Sequence, residues 1–274
     1  MPDPLNRYVT IDGRSIHFLE WGNSSDPTVI LLHGLFGNAH YWDFLGYELS
    51  SQYHIIAIDQ RGHGDSQWSG KYGPVDYVSD LEEFVEVMGY TRFALIGHSM
   101  GGITAILYAS RHPERVSSLM IVDIGPRLDT AGTDRMIRQM ASEPEFFDSM
   151  EGAFRYVRDV EPFCSDAFIR HQLRTALRSG EDGKLYFKFD KALRQIPIRS
   201  PEWLWEHLVS VLCPALVIRG RESDILSREM ANEMTKQLPY GSMVEIERAG
   251  HGVPAENPDA FLAEVKRILC TQRE

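Results

Sequence analysis

RFALIGHSMGG, residues 92–102, is the stretch on which the fold turns. Its first half, Phe93 to Ile96, is an apolar run of the kind that buried parallel strands carry. A helical pattern starts at Met100, and the junction Gly97-His98-Ser99-Met100-Gly101 fits G-x-S-x-G. A strand that passes into a helix through so tight a turn forces the apical residue into a strained backbone conformation. Small residues two before and two after it relieve the crowding. The Ser99 hydroxyl is then held out above the strand ends, at the positive end of the following helix.

Outward from this junction, β-rich runs alternate with helical patterns. A predicted antiparallel pair around Gly13 is followed by TVILLHG (28–34), HIIAIDQRG (54–62), RFALIGHS (92–99) and VSSLMIVDIG (116–125). Between them, in 75–89, Leu81, Phe84, Val85 and Met88 recur at helical spacing. Such alternation calls for an α/β protein with a mostly parallel sheet flanked by helices. The pattern stops after Ile124-Gly125-Pro126. From Arg127 to Glu206 the apolar residues keep a helical spacing with no buried strand, punctuated by Gly180-Glu181-Asp182-Gly183 and by Pro197 and Pro201. Alternation resumes with PALVIRG (214–220), a helix near 227–238, SMVEIERAG (242–250), and a last helix with Asn257 as N-cap and Pro258 at its first position. The expected organisation is one core domain, 1–126 and 207–274, interrupted once by a helical cap, 127–206.

Composition narrows the function classes. The 274 residues are 43% apolar, enough for a sizeable core, and the formal charge of -11 repels nucleic acid and anionic lipid surfaces. No apolar run approaches the roughly 18 residues that cross a bilayer, and the opening MPDPLNRY lacks the layout of a secretory signal. The expectation is a soluble, cytoplasmic protein, monomer or homodimer, acting on a small molecule. Cys164, Cys213 and Cys270 are too few and too scattered for a disulfide framework or a metal motif. With no phosphate loop or dinucleotide fingerprint either, no cofactor and no metal is expected. The segment 127–206 is rich in arginine; these are solvated helix faces, or one or two of them bind an anionic substrate group.

A serine hydroxyl is a weak nucleophile near neutral pH and needs a base within hydrogen-bond reach. His251, in Arg248-Ala249-Gly250-His251-Gly252, follows the last strand run and lies on a loop over the same sheet edge, whereas His33, His63 and His98 sit at turns and read as structural. Attack on a carbonyl creates an oxyanion that needs two N–H donors. Met100 offers one at the helix start. The loop His33-Gly34-Leu35-Phe36-Gly37 offers the other through Leu35, with Phe36 as its neighbouring option and a candidate substrate contact.

HGLFG, DQRGHGDS (59–66), GHSMGG and AGHGVPAENPD, in this order and spacing, closely resemble the α/β-hydrolase superfamily over almost the entire chain. The resemblance implies a mostly parallel sheet of about eight strands with an inserted helical cap over the site. It leaves two candidates for the acid that orients the histidine. The family acid usually sits three residues after the glycine that ends PALVIRG, but here Ser223 holds that place and Asp224 comes one later. Asp123, at the tip of SLMIVD, holds the place that another branch uses, and we favour it because a carboxylate closing an apolar strand requires a compensating partner. That branch resembles short-chain esterases and (acetamidomethylene)succinate hydrolases. Asp59, Arg61 and the glycines of DQRGHGDS are expected to form a turn and an internal ion pair. Of Trp203 and Trp205, two apart, at most one is expected to line the pocket.

A serine nucleophile disfavours haloalkane dehalogenase and the usual epoxide hydrolase chemistry, both of which need a carboxylate there. The first expectation is a carboxylic ester hydrolase (EC 3.1.1) working through Ser99, His251 and Asp123. The second is a hydrolase of a small carboxylated intermediate, cleaving a C–C bond, an enol-lactone or an acyl-amide. The third is a ligand-binding protein with a dormant site.

Overall fold

A computed structural model of the chain describes residues 3–270. In chain order its first half comprises β1 (Leu5–Ile11), β2 (Arg14–Trp21), β3 (Thr28–Leu32), α1 (Asp43–Leu49), β4 (His54–Ile58), α2 (Pro74–Met88), β5 (Phe93–His98), α3 (Met100–Arg111) and β6 (Val116–Val122). There follow α4 (Thr130–Ser142), α5 (Met150–Val160), α6 (Asp166–Ala176), β7 (Leu177–Ser179), β8 (Leu185–Phe187) and α7 (Trp205–Leu208). The chain then closes with β9 (Ala215–Gly220), α8 (Arg228–Gln237), β10 (Gly241–Ile246), α9 (Val253–Glu256) and α10 (Pro258–Cys270).

Eight strands form one sheet in the order β1-β2-β4-β3-β5-β6-β9-β10. The β1–β2 and β2–β4 pairs are antiparallel and the rest are parallel. Period-two alternation inside the apolar runs divides the core into two faces. Val29, Leu31, Ile55, Ile96 and Ile218 point to one side, where Trp42 and Leu45 near α1 and Phe261 and Val265 of α10 cover them. Ile30, Leu32, Ile56, Leu95 and Val217 point to the other, under Phe84 of α2, Tyr108 of α3 and Met234 of α8. Each of these side chains is essentially withdrawn from water, a contribution of about 2 kcal/mol apiece. Because β3, β5, β6, β9 and β10 run parallel, their C-terminal ends open onto one edge. The loops leaving that edge carry Gly34–Phe36, Ser99, Asp123, Ser223 and His251.

Three helices of the stretch 127–206 begin at residues that cap them: Asp129, Ser149 and Ser165 accept from the amides of Ala131, Gly152 and Phe168. The stretch is not all helix, although it holds no strand buried along its length. Gly180–Gly183 is the turn of a small antiparallel hairpin, β7–β8, with three residues in each strand. Strands this short hold too few residues for a period of two to register in the sequence. Beyond them 191–195 and 202–204 form 3-10 turns. Phe147, Phe154, Ile169, Leu173 and Leu177 give the stretch an apolar cluster of its own. It is tied to the loops at the sheet edge by Asp190 N to Gly62 O at 2.8 Å, His171 Nε2 to Asp43 Oδ2 at 2.6 Å, and Gln172 Nε2 to His40 O at 2.8 Å. Among the described residues no helix is long and apolar enough to cross a membrane. Residues 1, 2 and 271–274 of the expected core domain lie outside the described residues.

Candidate active site

The glycine spacing around Ser99 has a steric cause. A Cβ on Gly97 would stand 2.2 Å from Gly101 O, and one on Gly101 would stand 2.4 Å from Leu32 O. Only glycine lets the start of α3 pack this close to β5 and β3. Ser99, between them, has φ 52° and ψ -117°, a conformation that costs an L-residue of order 1–3 kcal/mol and persists only where the surroundings enforce it. Its side chain is almost fully buried.

The turn aims Ser99 Oγ at His251 Nε2, 3.0 Å away, and His251 Nδ1 lies 2.9 Å from Asp123 Oδ2. A carboxylate only accepts, so Nδ1 carries the proton and Nε2 is free to accept from the serine. Asp123 is fully buried at the tip of β6, itself in the left-handed region at φ 50°. Gly220 N donates to its Oδ1 at 2.9 Å and Ser223 Oγ to its Oδ2 at 2.5 Å. The serine standing where the family's usual acid would be thus buttresses the acid that reaches the histidine. Asp224 turns away and takes a bidentate contact from Arg135 at 2.7 and 2.8 Å. That pairing holds its carboxyl below the usual range, the Arg135 hydrogen bond contributing most.

The loop that presents His251 is held from three sides. His98 Nε2 donates to His251 O at 2.9 Å, Glu222 accepts from Ala249 N at 2.8 Å, and Glu256 accepts from Gly250 N at 2.5 Å. Burial drives His98 down to about 3, so its ring is a neutral donor. His33 has a similar structural part. It donates from Nδ1 to Gly34 O at 2.7 Å and accepts from Gln60 N at 3.0 Å, and burial lowers its pKa. The loop it fixes lies against the elbow, since a Cβ on Gly34 would meet Ser99 Cβ at 3.2 Å. Leu35 and Phe36 are in that loop, Phe36 at φ 64°. Met100 opens α3, where an amide has no acceptor within its own helix.

Asp59 and Arg61 are both buried but do not pair with each other. Asp59 lies 2.7 Å from His17 Nδ1 and accepts from Ala39 N and Asp65 N, while Arg61 pairs with Asp80 of α2. The expected internal ion pair is therefore two pairs, reached by partners 42 and 19 residues away that local sequence does not announce. Gly64 is required because its Cβ would fall 2.0 Å from Asp59 Oδ2.

A cavity of about 410 Å³ opens in front of Ser99 and His251. Leu35 and Phe36 line one side, and Met140, Leu173, Phe187 and Phe189 from the stretch 127–206 line another. Phe36 meets Phe189 at a ring separation of 4.7 Å, and Phe187 stacks on Phe189 at 5.3 Å. Neither Trp203 nor Trp205 is on the wall. The charged residues on it are Glu143, Glu161, Glu222, Asp224, Glu256 and a single arginine, Arg135. Glu161 and Glu256 were not singled out by sequence; Glu161 lies at a helix end with no motif, and Glu256 lies within AGHGVPAENPD, where His251 drew the reading. Two clusters have metal-ligand geometry among the described residues, His17 with Asp59 and Asp65, and Glu161 with Cys164 and Glu256. In the first, Asp59 already accepts from a histidine and two amides; in the second, burial raises the Cys164 thiol far above its ordinary value.

A family model described as the alpha/beta hydrolase fold matches residues 27–258. A Bacillus subtilis protein named as a candidate 2-succinyl-6-hydroxy-2,4-cyclohexadiene-1-carboxylate synthase is 31% identical over 266 residues, covering 95% of this chain and 96% of that one. An esterase of Mycobacterium tuberculosis is 27% identical over 278 residues, covering 98% and 91%. The crystal structure of an E-2-(acetamidomethylene)succinate hydrolase matches with a TM-score of 0.88 at 23% identity, over 97% of this chain and 99% of that one.

Proposed function

The chain belongs to the α/β-hydrolase family, and from that premise we propose that it is a serine hydrolase of carboxylic esters. Ser99 Oγ attacks the carbonyl carbon while His251 Nε2 takes its proton. The C–O bond to the alcohol then breaks, and the alcohol leaves with that proton. Water, deprotonated by the same imidazole, attacks the acyl-serine and releases the acid with Ser99 restored. Asp123 orients the ring and stabilises its charged form, and the amides of Leu35 and Met100 receive the oxyanion. The stretch 127–206 acts as a cap whose Phe187 and Phe189 complete an apolar acyl site together with Phe36. The observation that carries this reading is the continuous chain from Ser99 Oγ through His251 to Asp123, at 3.0 and 2.9 Å.

Likeness to proteins named for carboxylated compounds favours a second reading, a hydrolase of a small carboxylated intermediate. The cavity wall weighs against it. Of the arginines in 127–206 only Arg135 reaches the cavity, and it is committed to Asp224. A fluorophosphonate probe should label Ser99 and be blocked by Ser99→Ala. Nitrophenyl acetate should turn over with a higher kcat/KM than a panel of dicarboxylate amides and C–C cleavage substrates. No labelling of folded protein would favour a dormant site, and the reverse ratio would favour the second reading.

A further inference from the structure

Two of the acidic groups on the cavity wall stand together. On the His251 side Glu161 and Glu256 bring carboxylate oxygens within 4.8 Å of one another and of Cys164 Sγ. Cations that could neutralise them are engaged elsewhere. Arg135 holds Asp224, and Arg158 holds Cys164 O, Glu161 O and Asp166. Among the described residues neither Glu161 nor Glu256 forms an ion pair with a lysine or arginine. Burial, and then the charge of Glu256, raise Glu161 to about 7, and burial also raises Glu256. A second feature marks the same corner as incomplete. The Tyr41 hydroxyl is buried there with no hydrogen-bond partner. Its ring, with those of Phe163 and Phe168, adds aromatic surface to this part of the wall.

A carboxylate brought into this corner would face like charge in a poorly solvated site. An alkylammonium group would face two carboxyl groups and three aromatic rings, the surroundings that such cations prefer. His251 hands its proton to the departing alcohol, so the alcohol portion of an ester lies on this side. We propose that Glu161, Glu256 and Tyr41 form a cation subsite, and that the preferred substrates are esters whose alcohol portion carries an ammonium group. This rests on the ester-hydrolase reading above and specifies its substrate class.

Three acetate esters of nearly equal reach test it at pH 8: acetylcholine, its carbon isostere 3,3-dimethylbutyl acetate, and 3-acetoxypropanoate. The expected kcat/KM falls by about tenfold from the first to the second and again to the third, chiefly through KM. Tetramethylammonium should inhibit hydrolysis of the neutral ester competitively. Glu161→Gln should bring the acetylcholine to dimethylbutyl ratio below about threefold, and Glu161→Lys should favour the carboxylate ester. The ratios are internal to each variant and do not depend on its overall activity. Hydrolysis of all three at similar rates, a preference for the carboxylate ester, or a ratio untouched by Glu161→Gln would overturn the subsite while leaving the ester reading intact. Failure of every ester together with failure of Ser99 to take the fluorophosphonate would overturn both.

Discussion

Replacing Asp123 by Asn separates the two acids, and its outcome can be worked from three hydrogen bonds. The side chains are isosteric, so packing at this fully buried position is preserved. What changes is that one carboxylate oxygen becomes an NH2 donor. If the NH2 takes the place of Oδ1 it opposes Gly220 N–H, 2.9 Å away, and orphans a buried amide. If it takes the place of Oδ2 it opposes Ser223 Oγ at 2.5 Å and His251 Nδ1 at 2.9 Å. The second arrangement lets His251 accept at Nδ1, which puts its proton on Nε2 and leaves Ser99 without a base. The first keeps the tautomer but removes the charge that stabilises the imidazolium. Either way kcat should fall about 10⁴-fold, or roughly 5 kcal/mol in barrier. Asp224→Asn breaks a partly exposed bidentate pair with Arg135, and its kcat should stay within about threefold of wild type. Initial rates on nitrophenyl acetate, with far-UV circular dichroism to show that both variants fold, make the comparison. Loss of activity in Asp224→Asn with a near-wild-type Asp123→Asn would refute the assignment.

Ser223→Ala removes a donor to Asp123 Oδ2 and an acceptor for the amides of Ile225 and Leu226. It should lower kcat about tenfold and the stability by about 1–2 kcal/mol, with Ser223→Thr recovering part of both, read by steady-state kinetics and urea unfolding. Gly97→Ala places a methyl 2.2 Å from Gly101 O and should destabilise by more than about 3 kcal/mol or prevent soluble expression; a melting temperature within 2 °C of wild type would contradict the packing argument. Glu161, raised to about 7 from an ordinary 4.5 mainly by burial, keeps a proton in the folded chain that the unfolded chain has released. Its contribution to stability is therefore present below pH 4.5 and is lost as pH rises to about 7. The melting temperature of Glu161→Gln relative to wild type should rise across that window and level off above it, as scanning calorimetry at a series of pH values would reveal; a constant difference would refute the linkage.

The parts of this molecule that sequence discloses are those in which local geometry forces residue type. G-x-S-x-G is visible because two backbone approaches, Gly97 on Gly101 and Gly101 on Leu32, exclude a side chain whatever the substrate. The sheet is visible because strands buried on both faces must be apolar along most of their length, as β4 and β5 are, with His54 and His98 only at their ends. Asp123 was favoured for a related reason: a lone carboxylate at the end of such a strand has to be met by donors, and Gly220, Ser223 and His251 meet it. Contacts set by the relative placement of distant segments carry no such local constraint. Nothing near Arg135 marks it as the partner of an aspartate 89 residues on, and nothing in a helix end marks Glu161 as a neighbour of Glu256. The three-residue strands β7 and β8 escape notice because their pairing depends on each other and not on an apolar period. The proposed cation subsite rests on residues of this second kind. A chain can therefore keep every glycine of its elbow and exchange Glu161 or Arg135 without altering the pattern by which its fold is read. For that reason the charge of the preferred ester has to be measured against Glu161 and cannot be taken from the family.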